Sequence, residues 1–301
     1  MTSSAAAHPL IPPIVLDGGL SNALEGRGHT LGGDLWTARL LRDDPEEIAA
    51  VHRTYFEAGA RVATTASYQA SVPGLVAAGS SRSEAERLIR LSVRLAKEVA
   101  SEESGRLVAA SVGPYAATLA DGSEYTGYAG RVPRQVLREF HAPRLELLAA
   151  EDPDLLAVET LPDADEAEVL VELLDRIGLP AWISLSADAD RTRAGQPLAE
   201  AFAIAAGCRT VMAVGANCFD PADALEVVRL AAATTGKPVV CYPNSGQGWQ
   251  SGVGEEAGHW TGDQSWSPSA APAWIEAGAA YVGGCCQVGP DEIKALAAVV
   301  G

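Results

Sequence analysis

The sequence is short of positive charge. Lysine and arginine together number 22, against 39 aspartates and glutamates, so the 301-residue chain carries a formal net charge of −17 at pH 7. Proteins that bind nucleic acids draw much of their affinity from clustered lysine and arginine. The composition therefore argues against a nucleic-acid partner, and we interpret the acidic balance as a solvated surface that favours solubility.

The chain also lacks a targeting signal and long apolar runs. Residues 1–13 contain neither the basic start nor the continuous apolar stretch of a signal peptide. No later run of about 18 apolar residues could form a membrane-spanning helix. We therefore expect a cytoplasmic protein that does not engage a membrane.

Cysteine is scarce as well, with five residues in the whole chain. A low and odd count does not suit the disulfide scaffold of a secreted protein. Reduced thiols that bind a metal or react are the better expectation, so the positions of the cysteines become important.

Eight short apolar or β-branched segments alternate with helical segments along the chain, a pattern typical of parallel βα units. The expected strands lie near residues 14–16, 61–64, 107–111, 155–158, 181–185, 213–216, 239–242 and 280–283. A first long helix is expected from Asp44 and Pro45 to Gly59, and Ser83 with Glu86 predicts a capping box at the start of the second. Further helices are expected at about 133–150, 163–177, 197–206, 221–235, 268–277 and 290–300.

Eight consecutive βα units close most simply into a (β/α)8 TIM barrel, because parallel strands need right-handed crossovers and a closed sheet has no exposed edge. We therefore predict an α/β protein with a single domain that spans residues 1–301. An open doubly wound sheet is the alternative. Such a sheet usually carries a G-x-G-x-x-G loop after its first strand, and the sequence DGG at residues 17–19 does not match it.

Catalytic residues of barrel enzymes follow the carboxyl ends of the strands. The polar residues expected there are Asp17, Thr65, Tyr68, Glu159, Thr160, Asn217, Cys218, Asn244, Cys285 and Cys286. Three cysteines without a fourth protein ligand nearby in sequence predict an open tetrahedral zinc site rather than a closed structural one. The alternative is a set of buried core cysteines or a disulfide between Cys285 and Cys286.

The remaining two cysteines are interpreted as structural. Cys208 lies inside a predicted helix and Cys241 inside the seventh predicted strand. Buried free cysteine commonly acts as a small apolar side chain. Neither residue is therefore expected to bind the metal.

Three short motifs carry a family resemblance: LDGG at residues 16–19, GANCF at 215–219 and GGCC at 283–286. In this order they resemble the zinc-dependent homocysteine methyltransferases, and the similarity runs from about Leu16 to Gly289. The resemblance implies that Cys218, Cys285 and Cys286 bind Zn²⁺.

The implied reaction transfers a methyl group from a sulfonium, S-methylmethionine or S-adenosylmethionine, to the thiolate of homocysteine and forms methionine. A free thiol is mostly protonated at neutral pH, and zinc would ionise it. Three cysteine thiolates leave the centre with a net charge of −1, so a fourth thiolate stays nucleophilic. Betaine as the donor and selenocysteine as the acceptor are alternatives within the family.

The resemblance also implies a homocysteine pocket. Asp17 and Glu159 are expected to hold the amino group, and adjacent backbone groups its carboxylate. The other residues expected to line the pocket are Thr65, Tyr68, Asn217 and Asn244.

The segment 243–267 is too long for an ordinary connection between a strand and a helix. It contains Trp249, Trp260 and Trp266. Aromatic faces attract sulfonium cations, so the loop is a candidate donor-binding element, and packing of the rings within the loop is the alternative. His259 lies in the same loop and is interpreted as a solvated residue.

Two other protein classes remain open. A metal-dependent hydrolase could use the same barrel, although such enzymes usually have histidine or carboxylate ligands. A non-enzymatic redox or binding protein could use the adjacent cysteines as a disulfide. The three-cysteine set disfavours the hydrolase.

Overall fold

The computed structural model describes residues 13–31, 36–119, 123–128, 131–250 and 259–301. Eight parallel strands form its central sheet. They are β1 (Ile14–Val15), β2 (Val62–Thr64), β3 (Leu107–Val112), β4 (Leu155–Leu161), β5 (Ala181–Leu185), β6 (Val211–Asn217), β7 (Val239–Tyr242) and β8 (Ala279–Val282). Each of the eight predicted strands is present.

The sheet closes on itself. The strand order is β1-β8-β7-β6-β5-β4-β3-β2, and a parallel bridge between Leu16 and Val62 joins the two outer strands. The Arg61 N–H donates to the carbonyl of Val15 at 2.8 Å at the same seam. The predicted (β/α)8 barrel is therefore confirmed, and the doubly wound alternative is wrong.

One major helix follows each strand on the outside of the barrel. These helices are α1 (Pro45–Glu57), α2 (Arg82–Ala100), α3 (Arg134–Ala149), α4 (Ala164–Ile177), α5 (Leu198–Ala206), α6 (Ala224–Thr235), α7 (Ala271–Glu276) and α8 (Pro290–Val300). Shorter α-helical pieces are Leu20–Gly26, Leu40–Asp43, Val72–Ala77 and Ser123–Thr126, and 3₁₀ turns are Trp36–Arg39, Tyr115–Thr118, Pro221–Asp223 and Pro268–Ala270. In the described part of the chain no helix is both long and apolar enough to cross a membrane.

The start of α2 differs from its prediction. Ser81, not Ser83, is the N-cap residue, and its side chain accepts a hydrogen bond from the Glu84 N–H at 3.2 Å. The sequence contains two overlapping S-x-x-E patterns here, and the earlier one places the buried Ala85 in the first turn. The predicted capping box of Ser83 and Glu86 is therefore wrong by two residues.

One predicted strand boundary and the placement of one cysteine also differ from the prediction. Strand β4 continues to Leu161, so Glu159 and Thr160 lie within the strand rather than after it. The register shifts there because Thr160 has a left-handed φ of 59°. Helix α5 ends at Ala206, as predicted, so the placement of Cys208 inside a helix is wrong and Cys208 follows the helix.

The barrel interior is filled by large aromatic side chains. Trp182, Tyr242 and Tyr281 point into it from β5, β7 and β8, and each is at most 5% exposed. A second apolar layer lies between the strands and the surrounding helices. The three rings fill the barrel interior below the carboxyl rim, where the polar residues lie.

Candidate metal centre and adjoining pocket

The barrel brings three cysteines together at its carboxyl rim. Cys218 follows β6, and Cys285 and Cys286 follow β8; their Sγ atoms all lie within 4.8 Å of one another. The Sγ atoms of Cys218 and Cys286 are 3.8 Å apart. Sulfur atoms on a tetrahedral zinc, with Zn–S bonds of about 2.3 Å, are separated by roughly this distance. The donor set therefore fits a four-coordinate metal with one position left open.

The end of β7 holds the two cysteine segments in register. The Cys218 N–H donates to the carbonyl of Tyr242 at 3.3 Å, and the Cys285 N–H donates to that of Pro243 at 2.8 Å. The side-chain oxygen of Asn244 accepts the Cys286 N–H at 3.2 Å. Residues 242–244 therefore lie between the ligand-bearing segments and bind both.

Two glycines are required beside the adjacent cysteines. A Cβ on Gly284 would lie 2.1 Å from the Val288 side chain, and one on Gly283 would lie 2.7 Å from Leu16 Cβ and 2.9 Å from the carbonyl of Asp17. Because no side chain intervenes, the chain after β8 packs directly against the chain after β1. This contact places the cysteine pair next to Asp17.

The three thiols share their protons unequally. Hydrogen bonds from Cys285 and Cys286 favour the thiolate of Cys218 and hold its pKa well below the usual range, and the nearby Arg193 acts in the same direction. The hydrogen bonds to Cys218 and its negative charge raise the pKa of the other two thiols. All five cysteines are free thiols, so the alternative of a disulfide between Cys285 and Cys286 is not seen.

Asp17 and Glu159 are two buried carboxylates at the same rim, 5% and 7% exposed. Asp17 accepts hydrogen bonds from the N–H and hydroxyl of Thr64 at 2.6 and 2.8 Å. Glu159 accepts one from Ser111 and one from Tyr242, at 2.5 and 2.9 Å. Neither forms an ion pair with another described residue.

Burial raises the pKa of both carboxyl groups to about 7. The hydrogen bonds from Thr64, and those from Ser111 and Tyr242, oppose this rise only in part, because they favour the ionised forms. The charge of Arg144 also favours the ionised form of Glu159, although the two groups form no ion pair. Two acids without a direct ion pair that ionise near neutral pH form a site suited to a cationic group of a ligand.

Tyr68 and Thr65, two other residues predicted to line the pocket, differ in how far they are buried. Tyr68 is half-buried and packs against Gly113. Burial raises the pKa of its hydroxyl, and the negative charge of the nearby Cys218 thiolate raises it further. Thr65 uses its hydroxyl to contact Ser67 at 2.7 Å and to accept the Ser111 N–H at 3.0 Å. It is 2% exposed, so it ties β2 to β3 behind the pocket.

Asn217 is fully buried and supports the rim from below. Its side-chain oxygen accepts hydrogen bonds from the Thr160 N–H at 2.8 Å and the Ser184 hydroxyl at 2.7 Å. Its amide donates to the Thr160 hydroxyl at 2.8 Å and approaches Cys285 Sγ at 3.8 Å. Asn217 thereby links the left-handed turn at Thr160 to the cysteine cluster.

Sequence reasoning missed Ser111, Tyr242, Thr64 and Arg193. The first two lie in apolar strands and look like ordinary core positions, although they hydrogen-bond to Glu159. Arg193 follows a short hairpin after β5, and its Nε donates to Ser186 at 3.3 Å. A polar residue near the carboxyl end of a barrel strand was the available signal.

The tryptophan-rich loop is only partly described. Gly248–Gln250 pairs antiparallel with His259–Thr261, and residues 251–258 and the side chains of Trp249 and His259 lie outside the described part. Trp266 is 6% exposed and belongs to the core between sheet and helices. For Trp266 the packing interpretation is therefore correct.

A closed (β/α)8 barrel with three clustered thiols and two buried carboxylates at its carboxyl rim defines a barrel protein whose thiol cluster could hold a metal. The family model for homocysteine S-methyltransferase matches residues 14–300. The chain belongs to the homocysteine S-methyltransferase family, as its motifs predicted.

Relatives across plants and bacteria agree. Homocysteine S-methyltransferase 4 from Zea mays is 41% identical over 95% of this chain and 89% of that protein. Homocysteine S-methyltransferase YbgG from Bacillus subtilis is 41% identical over 95% of this chain and 94% of that protein. These matches span nearly the full length of each relative.

A solved relative shows the same fold. The metallated form of the homocysteine methyltransferase MmuM from Escherichia coli superposes with a TM-score of 0.83, at 37% identity and 96% coverage of both chains. The apo form of that enzyme gives a TM-score of 0.75 at 33% identity. The metallated form shows that a related barrel binds a metal.

Proposed function

We propose that this chain is a zinc-dependent enzyme that transfers a methyl group from a sulfonium donor to the thiolate of homocysteine, forming methionine. S-methylmethionine is the donor we favour, and S-adenosylmethionine is the second sulfonium candidate. The observation that carries the proposal is the cluster of Cys218, Cys285 and Cys286, whose sulfur atoms lie within 4.8 Å of one another. The family membership supports homocysteine as the acceptor.

The three cysteines would hold the metal. Thiolate ligands select zinc and other soft or borderline cations over hard ones such as Mg²⁺ or Ca²⁺. Bound zinc would supply Lewis acidity that ionises the acceptor thiol at neutral pH. Cys285 and Cys286 are partly exposed, so an acceptor can approach the cluster from the barrel mouth.

Asp17 and Glu159 would bind the ammonium group of homocysteine. A cation placed between the two carboxylates favours their ionised forms and lowers their pKa from about 7. Asp17 is fixed by Thr64, and Glu159 by Ser111 and Tyr242, so the acids need no rearrangement to receive the ligand. The pocket would thereby orient the acceptor sulfur towards the cysteines.

The donor needs little from acid or base groups. A sulfonium carries its own positive charge and leaves as a neutral thioether when the acceptor sulfur attacks the methyl carbon in line. The S–CH₃ bond of the donor breaks with both electrons remaining on the donor sulfur. The residues of the rim would therefore act by orientation and by excluding water from the reacting atoms.

The first test is metal content per chain, measured under strong reductant for the wild type, Cys286→Ala and Cys208→Ala. We expect about one zinc in the wild type, its loss in Cys286→Ala, and retention in Cys208→Ala, because Cys208 contacts Thr210 away from the cluster. A fully reduced wild type that binds no zinc would overturn the proposed centre.

The second test identifies the donor. Metal-loaded protein is incubated with homocysteine and either S-methylmethionine, S-adenosylmethionine or betaine carrying a CD₃ group, and labelled methionine is measured by mass spectrometry. Label from S-methylmethionine supports the proposal. Label from betaine alone would refute the sulfonium donor, and the same assay with selenocysteine tests the acceptor.

A further inference from the structure

Arg144 is a buried charge whose position needs an explanation. It lies on α3, is 2% exposed, and its pKa is lowered to about 10 by burial, so it stays charged at neutral pH. It forms no ion pair with a carboxylate among the residues that the structure describes. The charges of Glu166 and Glu159 favour its protonated form from beyond ion-pair distance, and burying a charge without a direct ion pair costs several kcal/mol after relaxation. Such a cost can be offset when the buried charge holds other groups of the protein in position.

The guanidinium of Arg144 fastens two turns of the rim. Its Nη2 donates to the carbonyls of Ser67 and Tyr68 at 2.5 Å each, and its Nη1 donates to the carbonyl of Gly113 at 2.9 Å. Ser67 and Tyr68 follow β2, and Gly113 follows β3. A Cβ on Gly113 would lie 2.7 Å from the Tyr68 ring, so the two turns also touch directly.

These hydrogen bonds fix the direction of two peptide groups. In a trans peptide the C=O and N–H point in opposite directions. Because the carbonyls of Ser67 and Tyr68 point at Arg144, the N–H groups of Tyr68 and Gln69 point away from α3. Neither N–H donates to an acceptor within the described ranges. Adjacent N–H groups of this kind form an anion-binding concavity.

We propose that Arg144 is a positioning residue that holds the N–H groups of Tyr68 and Gln69 ready for the carboxylate of the acceptor amino acid. The proposal rests on homocysteine being the acceptor. Asp17 and Glu159 would then take the ammonium group, and the amides would take the carboxylate of the same molecule. Arg144 itself would not touch the ligand.

The test compares two acceptors that differ only in the carboxylate, homocysteine and its decarboxylated analogue 3-aminopropane-1-thiol. Steady-state kinetics with S-methylmethionine give KM and kcat for wild type, Arg144→Lys and Arg138→Lys, normalised to metal-loaded protein. Arg138 lies on the same helix and pairs with the exposed Glu172. We expect Arg144→Lys to raise the KM for homocysteine about tenfold or more, the effect of losing a well-placed hydrogen bond to a charged group.

In Arg144→Lys, the decarboxylated thiol and S-methylmethionine should each keep a KM within about twofold of the wild-type value, and Arg138→Lys should match the wild type. An equal loss for both thiols, or no loss, would show that Arg144 does not act through the carboxylate. A wild type that methylates neither thiol would instead refute the proposed function. If Arg144→Lys does not fold, the same comparison of the two thiols is made with Gly113→Ala. The Cβ of that variant would lie 2.5 Å from the Tyr68 carbonyl and would displace the turn that holds Tyr68.

Discussion

The hydroxyl of Tyr242 donates to Oε2 of Glu159 at 2.9 Å. Its direction is fixed, because the indole N–H of Trp182 donates to the same hydroxyl at 3.1 Å and an indole can only donate. The single phenolic proton must therefore point at the carboxylate. The aromatic side chains inside the barrel thus contact the pocket through the Tyr242 hydroxyl, and this hydrogen bond favours the ionised form of Glu159.

Tyr242→Phe should weaken homocysteine binding at pH 7. The carboxylate loses a donor, so the pKa of Glu159 rises further above about 7 and a smaller fraction is ionised. We expect the KM for homocysteine to increase roughly three- to tenfold, equivalent to about 1 kcal/mol, and its pH dependence to move to higher pH. Steady-state kinetics between pH 6 and 9 measure both.

Tyr281→Phe is the matched control for that substitution. Tyr281 also lies against Trp182, with ring centroids 6.1 Å apart, and its hydroxyl has no hydrogen-bond partner among the described residues. Its kinetics should be unchanged. An equal effect of the two variants would mean that ring packing, not the hydrogen bond to Glu159, controls affinity.

Glu159→Gln should separate substrate binding from metal binding. Removing the charge is expected to raise the KM for homocysteine by at least about tenfold, because a charged hydrogen bond is lost. Zinc content should remain at the wild-type value, since the metal ligands are cysteines. Unchanged apparent affinity would remove Glu159 from the pocket.

The same substitution should change how stability depends on pH. The folded pKa of Glu159, about 7, lies above the unfolded value of about 4.3, so the folded state binds the proton more tightly. This contribution is complete below about pH 4 and is lost as the pH rises through 7. The Tm of metal-loaded Glu159→Gln minus that of the wild type should therefore be more positive at pH 8 than at pH 5.5. A difference in Tm that is constant with pH would contradict this.

Asn217→Ala should destabilise the fold by about 2–4 kcal/mol, because buried groups of Thr160 lose their partners. Ser184→Ala removes one hydrogen bond to the same amide oxygen and should cost only about 1 kcal/mol. Urea unfolding of the metal-loaded proteins measures both values. Similar costs for the two variants would mean that the turn at Thr160 does not depend on Asn217.

Gly215→Ala should destabilise β6 severely, because the new Cβ would lie 1.8 Å from the carbonyl of Val240. Gly207→Ala is the control, since nothing lies within 4 Å of its Cβ and its φ is −84°. We expect a loss above about 3 kcal/mol for the first and within about 0.5 kcal/mol for the second. Thermal and urea unfolding would detect the contrast.

The barrel and the cysteine cluster could be predicted because each has a strong local signal. Alternating apolar strands and capped helices define eight βα units, and the motif around Cys218 and the GGCC motif follow strands that a barrel places close together. Asp17 and Glu159 were predicted to line the pocket by the same position rule together with the family resemblance, and their role in binding stays a prediction. The geometry places both at the rim, each with its own hydrogen-bond donors.

Tyr242, which sequence reasoning missed, and Arg144, whose role is proposed above, both act through partners distant in sequence. Tyr242 is an aromatic residue in an apolar strand, and Arg144 is a charge on a helix, so local pattern favours core and surface for them. Their partners, Glu159 and the carbonyls of Ser67 and Tyr68, lie 83, 77 and 76 positions away. Only the closed fold creates these contacts, and no periodicity encodes them.

The hydrogen bonds at the end of β7 have a kinetic consequence. Cys218 and Cys286 are 68 positions apart, and residues 242–244 hydrogen-bond to the backbone of both cysteine segments. Because these hydrogen bonds form with the barrel strands, much of the entropy of bringing the cysteines together should be lost as the barrel folds. Metal exchange should then proceed through brief local opening of this short segment, so its rate should follow hydrogen exchange of the Cys218 and Cys285 amides rather than global unfolding.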